Sequence, residues 1–259
     1  MGLSALRGGV AFLTRLPVGG GEREWDAFRA TPAIFPLVGY LVGALAALPF
    51  TLLSAVSQPG TVAAMYLGTL YLVTGITHAD GLADVGDAAV VHGDTARRLD
   101  ALKDSQTGVG GALALALSVV ALALGAFGLA TATGSPAVAL RIVVAAEVGA
   151  KAGMALLACL GTPVHEGLGS AVVAENDAAG LLPVAAVALP AVLVAPSSAT
   201  PALVCALLSG PAVALLVRRW ARGAVGGVSG DALGATNELG RVVGLHAGVV
   251  AWTAASTLF

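Results

Sequence analysis

Polarity along this chain comes in blocks. Runs rich in Leu, Ala and Val at 34–56, 62–77, 110–131, 137–160, 181–195, 201–217 and 242–258 alternate with short polar connections. A helix that crosses a membrane needs about 20 predominantly apolar residues, with about 17 at the short end. By that measure the runs at 62–77 and 181–195 are marginal, and Gly or Pro can break them or make them re-entrant. The runs are continuous, unlike the alternating strands of a transmembrane barrel. The pattern therefore predicts an all-α, polytopic helical membrane protein. It has about seven transmembrane helices in a single integral membrane domain over 1–259. Ahead of the first run, Leu3, Leu6, Val10, Leu13 and Leu16 recur at helical spacing. They predict an amphipathic helix lying in the membrane interface, within a polar N-terminal segment over 1–33.

Composition agrees with the pattern. Hydrophobic residues make up 57% of the chain and charged residues 11%, against about 25% charged in soluble domains. The net charge of −2 is uninformative by itself, and no nucleic-acid partner is expected. Cys159 and Cys205 both fall in apolar runs, which reads as buried free thiols rather than a disulfide framework. Lys and Arg gather in three places: Arg7, Arg15, Arg23 and Arg29; Arg97, Arg98 and Lys103; and Arg218, Arg219, Arg222 and Arg241. Cytoplasmic loops carry the excess of Lys and Arg, so all three segments, the N-terminus included, are expected on the cytoplasmic side of the cell membrane. Every acidic residue except Glu147 falls on that same side. Gly39 with Gly43, and Gly149 with Gly153, have the small-xxx-small spacing that lets helices approach closely.

Three polar segments carry candidate chemistry. In "THADGLADVGD", Asp80, Asp84 and Asp87 stand at i, i+4 and i+7, one face of a helix over 78–91. Three carboxylates on one stripe at a membrane boundary repel one another unless a cation lies among them. Hard oxygen ligands with open positions suit Mg²⁺ or Mn²⁺. A solvated acidic helix end is the alternative. His78 beside them can position a phosphate, move a proton, or cap the span. Further along the same cytoplasmic segment, 78–109, Asp94 reads as the N-cap of a helix running to about Lys103. Asp100 and Asp104 are candidates for a second metal face there, and Arg97, Arg98 and Lys103 for neutralising phosphate. The Gly-rich stretch from Ser105 to Gly111 offers backbone N–H groups to an anion. In the loop and helix over 218–241, a helix is expected to begin near Ser229 or Gly230, a phosphate-binding position. Asp231 and Glu238 share one of its faces; the alternative is that Asp231 simply favours the positive helix end. Within the fourth run, Glu147 and Lys151 stand at i and i+4. With Arg141 they either line an intramembrane vestibule or brace the bundle as a pair.

Six stretches together resemble the cobalamin synthase (adenosylcobinamide-GDP ribazoletransferase) family. They are "AFLTRLPV", "FPLVGYLVG", "THADGLADVGD", "LKDSQTGVGG", "EGLGSAV" and "GGVSGDALGATNELG", in order over almost the whole chain. The chain departs from the family pattern at 163–166 before "GLG", at Lys151 where an Arg is expected, and at Ala88 in place of a Gly. The resemblance implies transfer of adenosylcobinamide phosphate from adenosylcobinamide-GDP to α-ribazole or its 5′-phosphate, with release of GMP. It implies Asp80, Asp84 and Asp104 as Mg²⁺ (or Mn²⁺) ligands, Asp87 as ligand or general base, and Lys103 stabilising phosphate. Asp231 and Glu238 would support the site; on physical grounds, not from the resemblance, a vestibule lined by Arg141, Glu147 and Lys151 would take the bulky corrinoid as substrate. The implied partners are these small-molecule substrates and membrane lipid, and an oligomer is compatible with the sequence. Two other readings stay open: a phosphotransferase using CDP-linked alcohols, and a cation-coupled transporter. The first lacks its usual second half, two Asp in a G-xxx-D-xxx-D arrangement. The second would place its acids near mid-membrane.

Overall fold

A computed structural model describes residues 2–104, 106–193 and 198–258. Among them the chain is almost wholly α-helical, in the order α1 (Leu3–Leu13), α2 (Glu22–Arg29), α3 (Ile34–Ala46), α4 (Leu48–Leu53), α5 (Pro59–Thr74), α6 (Thr77–Val90) and α7 (Thr95–Lys103). Then follow α8 (Val109–Ala132), α9 (Pro136–Leu160), α10 (Leu168–Ala174), α11 (Leu181–Ala188), α12 (Pro190–Leu193), α13 (Thr200–Ala224) and α14 (Gly230–Leu258). Among the described residues four spans are long and apolar enough to cross a membrane: Ile34–Leu53, α8, α9 and α13. The number rises to six if each of two bent pairs counts as one span. The protein is thus an all-α polytopic membrane protein, with four to six such spans where about seven are expected.

The difference lies in the marginal runs and in α14. Pro190 splits the run at 181–195 into α11 and α12, and the pair that includes them bends by 91°. The run at 62–77 ends in α5, and α6 leaves it at 96°. That elbow is Gly75, whose φ of 68° lies in the left-handed region that only glycine enters without strain. The three aspartates lie on α6, beyond the elbow, and the two arms are apolar enough for a span only when taken together. The last run is the C-terminal half of α14, which is not among the four; its N-terminal half carries Asp231, Glu238 and Arg241.

The N-terminal helix forms but stops at Leu13, where the Thr14 hydroxyl donates to the Val10 carbonyl at 2.7 Å. Its stripe does not face lipid alone. Val10 and Leu13 are buried in the main core, beside an aromatic group in which Phe12 and Trp25 stand 5.2 Å apart and Phe28 and Phe35 stand 5.1 Å apart. The predicted interfacial helix is docked on the bundle.

Helix α9 is the axis of the fold, with 89% of its apolar window buried inside the protein, against 28% for α8. Its small residues let neighbours come close, as expected for Gly39, Gly43, Gly149 and Gly153. A Cβ on Gly39 would stand 2.7 Å from Val148 Cα, and one on Gly43 equally close to Val144 Cα. Gly149 lies against the Leu207 carbonyl and Gly210 against the Gly149 carbonyl.

At this axis the expected Glu147–Lys151 pair forms, and it is half of a larger network. Glu147 also accepts from Arg241 Nε at 2.8 Å and from Arg241 Nη2 at 3.2 Å. Arg241 Nη1 donates to Glu238 Oε1 at 2.7 Å, which takes a further bond from Asn237 at 3.0 Å. All four charged side chains are at most 2% exposed.

Two stability predictions follow from this packing. Overfilling a packed contact costs about 1–3 kcal/mol, so Gly210→Val should lower the thermal unfolding midpoint in detergent. Gly223→Ala, where a Cβ meets nothing within 4 Å, should not. Removing one partner of a buried charge network costs about 3–5 kcal/mol. Glu147→Gln should therefore unfold earlier than wild type, and Glu147→Gln combined with Lys151→Met should regain part of the loss; equal midpoints for single and double variants would deny the pairing.

Candidate active site

The predicted aspartate face is present on α6 from Asp80 to Asp87, and α14 starts at Gly230 as expected. What joins them is close packing of backbones. A Cβ on Gly81 would stand 2.8 Å from Asp231 Cα, and one on Gly234 would stand 2.9 Å from the His78 carbonyl oxygen. The first turn of α14 therefore lies directly on α6. Ser229 caps it: its hydroxyl accepts from the Ala232 N–H at 3.3 Å and donates to Asp231 Oδ2 at 3.1 Å. A pocket of about 180 Å³ opens at this junction, lined by Thr77, His78, Asp80, Gly230 and Asp231 with Phe12, Met154, Leu168 and Gly169 among its walls.

The electrostatics are those of an unneutralised acidic site. Burial, with Asp231, Asp80 and Asp87 adding repulsion, pushes the Asp84 carboxyl up to about 7. Burial also raises Asp231, partly offset by the Ser229 hydrogen bond. Among the described residues no ion pair reaches Asp80, Asp84 or Asp231. His78 is buried, and its Nδ1 has no partner. Burial, reinforced by Lys151 and Arg241, drops its imidazole to about 3, so it is neutral at physiological pH. In this state the ring is available for hydrogen bonding through Nδ1.

Other predicted residues stand elsewhere. Asp87 is a clamp: Oδ2 accepts from the Gly108 N–H at 2.7 Å and Oδ1 from the Gly111 N–H at 2.9 Å. The Gly-rich stretch thus does present N–H groups to an anion, and the anion is the chain's own carboxylate. Asp94 caps α7 as predicted, but Asp104 is exposed at its end, where Oδ1 accepts from the Gln106 N–H at 3.0 Å. Neither Asp100 nor Asp104 is among the groups that shift Asp84. Arg97 and Lys103 are exposed on α7. Arg98 lines a different cleft, with Arg219 and Trp220 of α13. Glu238 and Lys151 belong to the buried network and do not line the pocket, so Lys151 faces Glu147 rather than a vestibule. Ser105 lies outside the described residues.

The walls Phe12, Met154, Leu168 and Gly169 carried no signal in charge or periodicity. The only pointer to three of them was that "AFLTRLPV" and "EGLGSAV" recur as family stretches. As to a metal, no group of three or more His, Cys, Asp or Glu side chains among the described residues is arranged to enclose one. Mg²⁺ seldom needs such an enclosure, since it keeps waters and is usually held by one or two carboxylates plus substrate phosphates. Unpaired, hard-oxygen Asp80, Asp84 and Asp231 fit that mode.

The sequence profile described as cobalamin-5-phosphate synthase matches residues 5–249 of this chain. A protein of Halorubrum lacusprofundi named adenosylcobinamide-GDP ribazoletransferase is 54% identical, over 97% of this chain and 98% of its own. One of the same name from Haloquadratum walsbyi is 49% identical, over 97% and 99%. Another, from Methanocella arvoryzae, is 32% identical, over 96% and 97%. No solved structure matches. With six ordered motifs, a shared pocket for four of them and a profile match along nearly its whole length, the chain belongs to the cobalamin-5-phosphate synthase family.

Proposed function

We propose that this protein transfers adenosylcobinamide phosphate from adenosylcobinamide-GDP to α-ribazole or its 5′-phosphate, releasing GMP. A ribose hydroxyl oxygen bonds to the phosphorus on the cobinamide side. The bridging P–O bond to GMP breaks, GMP keeps that electron pair, and the hydroxyl loses its proton. The observation that carries this reading is the convergence of Asp80, Asp231 and His78, from separate family segments, on one pocket. Phosphoryl transfer asks a protein mainly for positioning and for neutralisation of charge. Asp80, Asp84 and Asp231 would hold Mg²⁺ or Mn²⁺, which when bound supplies the positive charge that diphosphate oxygens need. Neutral His78 would hydrogen-bond substrate through its unpartnered Nδ1, and the Gly230 turn lies where backbone N–H groups meet phosphate. Asp87 contributes by fixing the start of α8 against α6. The three basic segments favour a cytoplasmic site in a prokaryotic cell membrane, with the N-terminus on the same side.

Purified protein in lipid or detergent, given both substrates and Mg²⁺, should release one GMP per corrinoid product, and a chelator should stop the reaction. Asp84→Asn should lower the rate by about a hundredfold or more, the scale of losing one charge-stabilising group; a folded variant with full activity would remove Asp84 from the metal set. A second measurement uses the raised Asp84 carboxyl. A metal must displace its proton, so apparent Mg²⁺ affinity should fall as pH drops through about 7, by roughly tenfold per unit below it for one displaced proton. A flat profile between about pH 8 and 6 would contradict that assignment.

A further inference from the structure

Phe12 lines two cavities. One is the aspartate pocket; the other is a neighbouring cleft of about 480 Å³ between the end of α1, the turn after it and α2. Phe12 and Trp25 form an aromatic wall of this cleft, with ring centroids 5.2 Å apart, and Phe28 backs them at 5.3 and 6.0 Å. Arg15 completes the lining. Its backbone N–H donates to the Val73 carbonyl at 2.7 Å. Its stem lies across the Gly75 elbow, where a Cβ would stand 2.8 Å from Arg15 Cγ and Cδ. The elbow is two residues before Thr77, which lines the aspartate pocket beside His78. The guanidinium is exposed and has no hydrogen-bond or ion-pair partner among the described residues.

The cleft's other charges are already engaged. Glu24 accepts from the Gly21 N–H at 3.0 Å, and Arg7 donates to the Val18 and Gly19 carbonyls at 2.8 and 3.1 Å. The charged group left without a partner among the described residues is therefore the Arg15 guanidinium, and it sits between the tilted Phe12 and Trp25 rings and the carboxylate pocket. A planar base with a phosphate attached fits that pairing, since aromatic faces accept stacked bases and guanidinium matches phosphate geometry.

Resting on the function proposed above, we infer that this cleft is the subsite for the guanine nucleotide end of the donor, with Arg15 as a phosphate-binding residue. The reacting phosphorus belongs over the carboxylate pocket, and the nucleotide one phosphate away then falls into the cavity that shares Phe12. GMP gains negative charge as it departs, and Arg15 is placed to meet it. The acceptor base has no second phosphate in its link to the reacting centre and so does not call for a cation at this distance. The "AFLTRLPV" stretch, which composition treated only as part of an amphipathic helix, thereby acquires a ligand.

The test isolates Trp25. Replacing the other two of the chain's three tryptophans as Trp220→Phe and Trp252→Phe leaves it as the sole tryptophan, read selectively by exciting beyond tyrosine absorption. GMP titrated without metal should quench it saturably. Arg15→Ala should weaken GMP binding by roughly tenfold or more, the scale of a lost charge-assisted hydrogen bond, and Arg15→Lys should weaken it less. In turnover, Arg15→Ala should raise KM for the donor and leave KM for α-ribazole unchanged, with a circular dichroism spectrum like wild type. The inference is overturned if GMP leaves Trp25 unperturbed, if Arg15→Ala binds GMP normally, or if α-ribazole 5′-phosphate quenches Trp25 and GMP does not. Absence of any product from wild-type protein would instead count against the proposed reaction, and the fluorescence titration would still decide for or against a nucleotide cleft.

Discussion

The geometry of the site depends on a buried ion network in which Glu147 and Lys151 of α9 meet Arg241 and Glu238 of α14. Two acids and two bases cancel in formal charge, and their hydrogen bonds are directional. In a membrane interior, where an unpaired charge is costly, only one rotation and register of α14 on α9 satisfies all four. Apolar packing in lipid lacks that selectivity, because lipid tails satisfy Leu as well as a neighbouring helix does. The glycine contacts of α9 with α3 and α13 permit close approach; the network specifies which approach.

The same helix carries the opposite electrostatic arrangement two turns earlier. Asp231 is held by Ser229 and faces Asp80 and Asp84 across the Gly81 and Gly234 contact, with no ion pair to it among the described residues. Pinning α14 through Arg241 and Glu238 holds Asp231 against its repelling neighbours. Asp87 does comparable work from the other end of α6 by tying it to the first turn of α8. The acidic cluster is thus held in place by clamps outside it, and Asp80, Asp84 and Asp231 have no ion-pair partner among the described residues, which suits the proposed cation site.

The sequence was informative about local matters. Helical spacing put Asp80, Asp84 and Asp87 on one face, Asp94 read correctly as a cap, and the start of α14 was visible in Ser229 and Gly230. Small-residue spacing marked Gly39, Gly43, Gly149 and Gly153 as approach points. The Glu147–Lys151 pair was legible because i and i+4 residues meet on any helix. Each of these signals acts over a few residues, where backbone geometry alone relates the side chains.

Long-range partnership was not legible in this way. That Glu238 and Lys151 serve a buried network, that Asp87 clamps α8, and that Arg98 lies with Arg219 and Trp220 are properties of helix packing. A carboxylate looks the same in a sequence whether it waits for a metal or for Arg241. The course of a span was hidden for a similar reason: a hydropathy run does not tell whether an elbow such as Gly75 redirects the helix. The chain by itself determined helices, their apolar faces, and the reservoir of carboxylates at the membrane edge. Only the tertiary structure decided which carboxylates stay unpaired, because that depends on which helices come within hydrogen-bonding distance of one another.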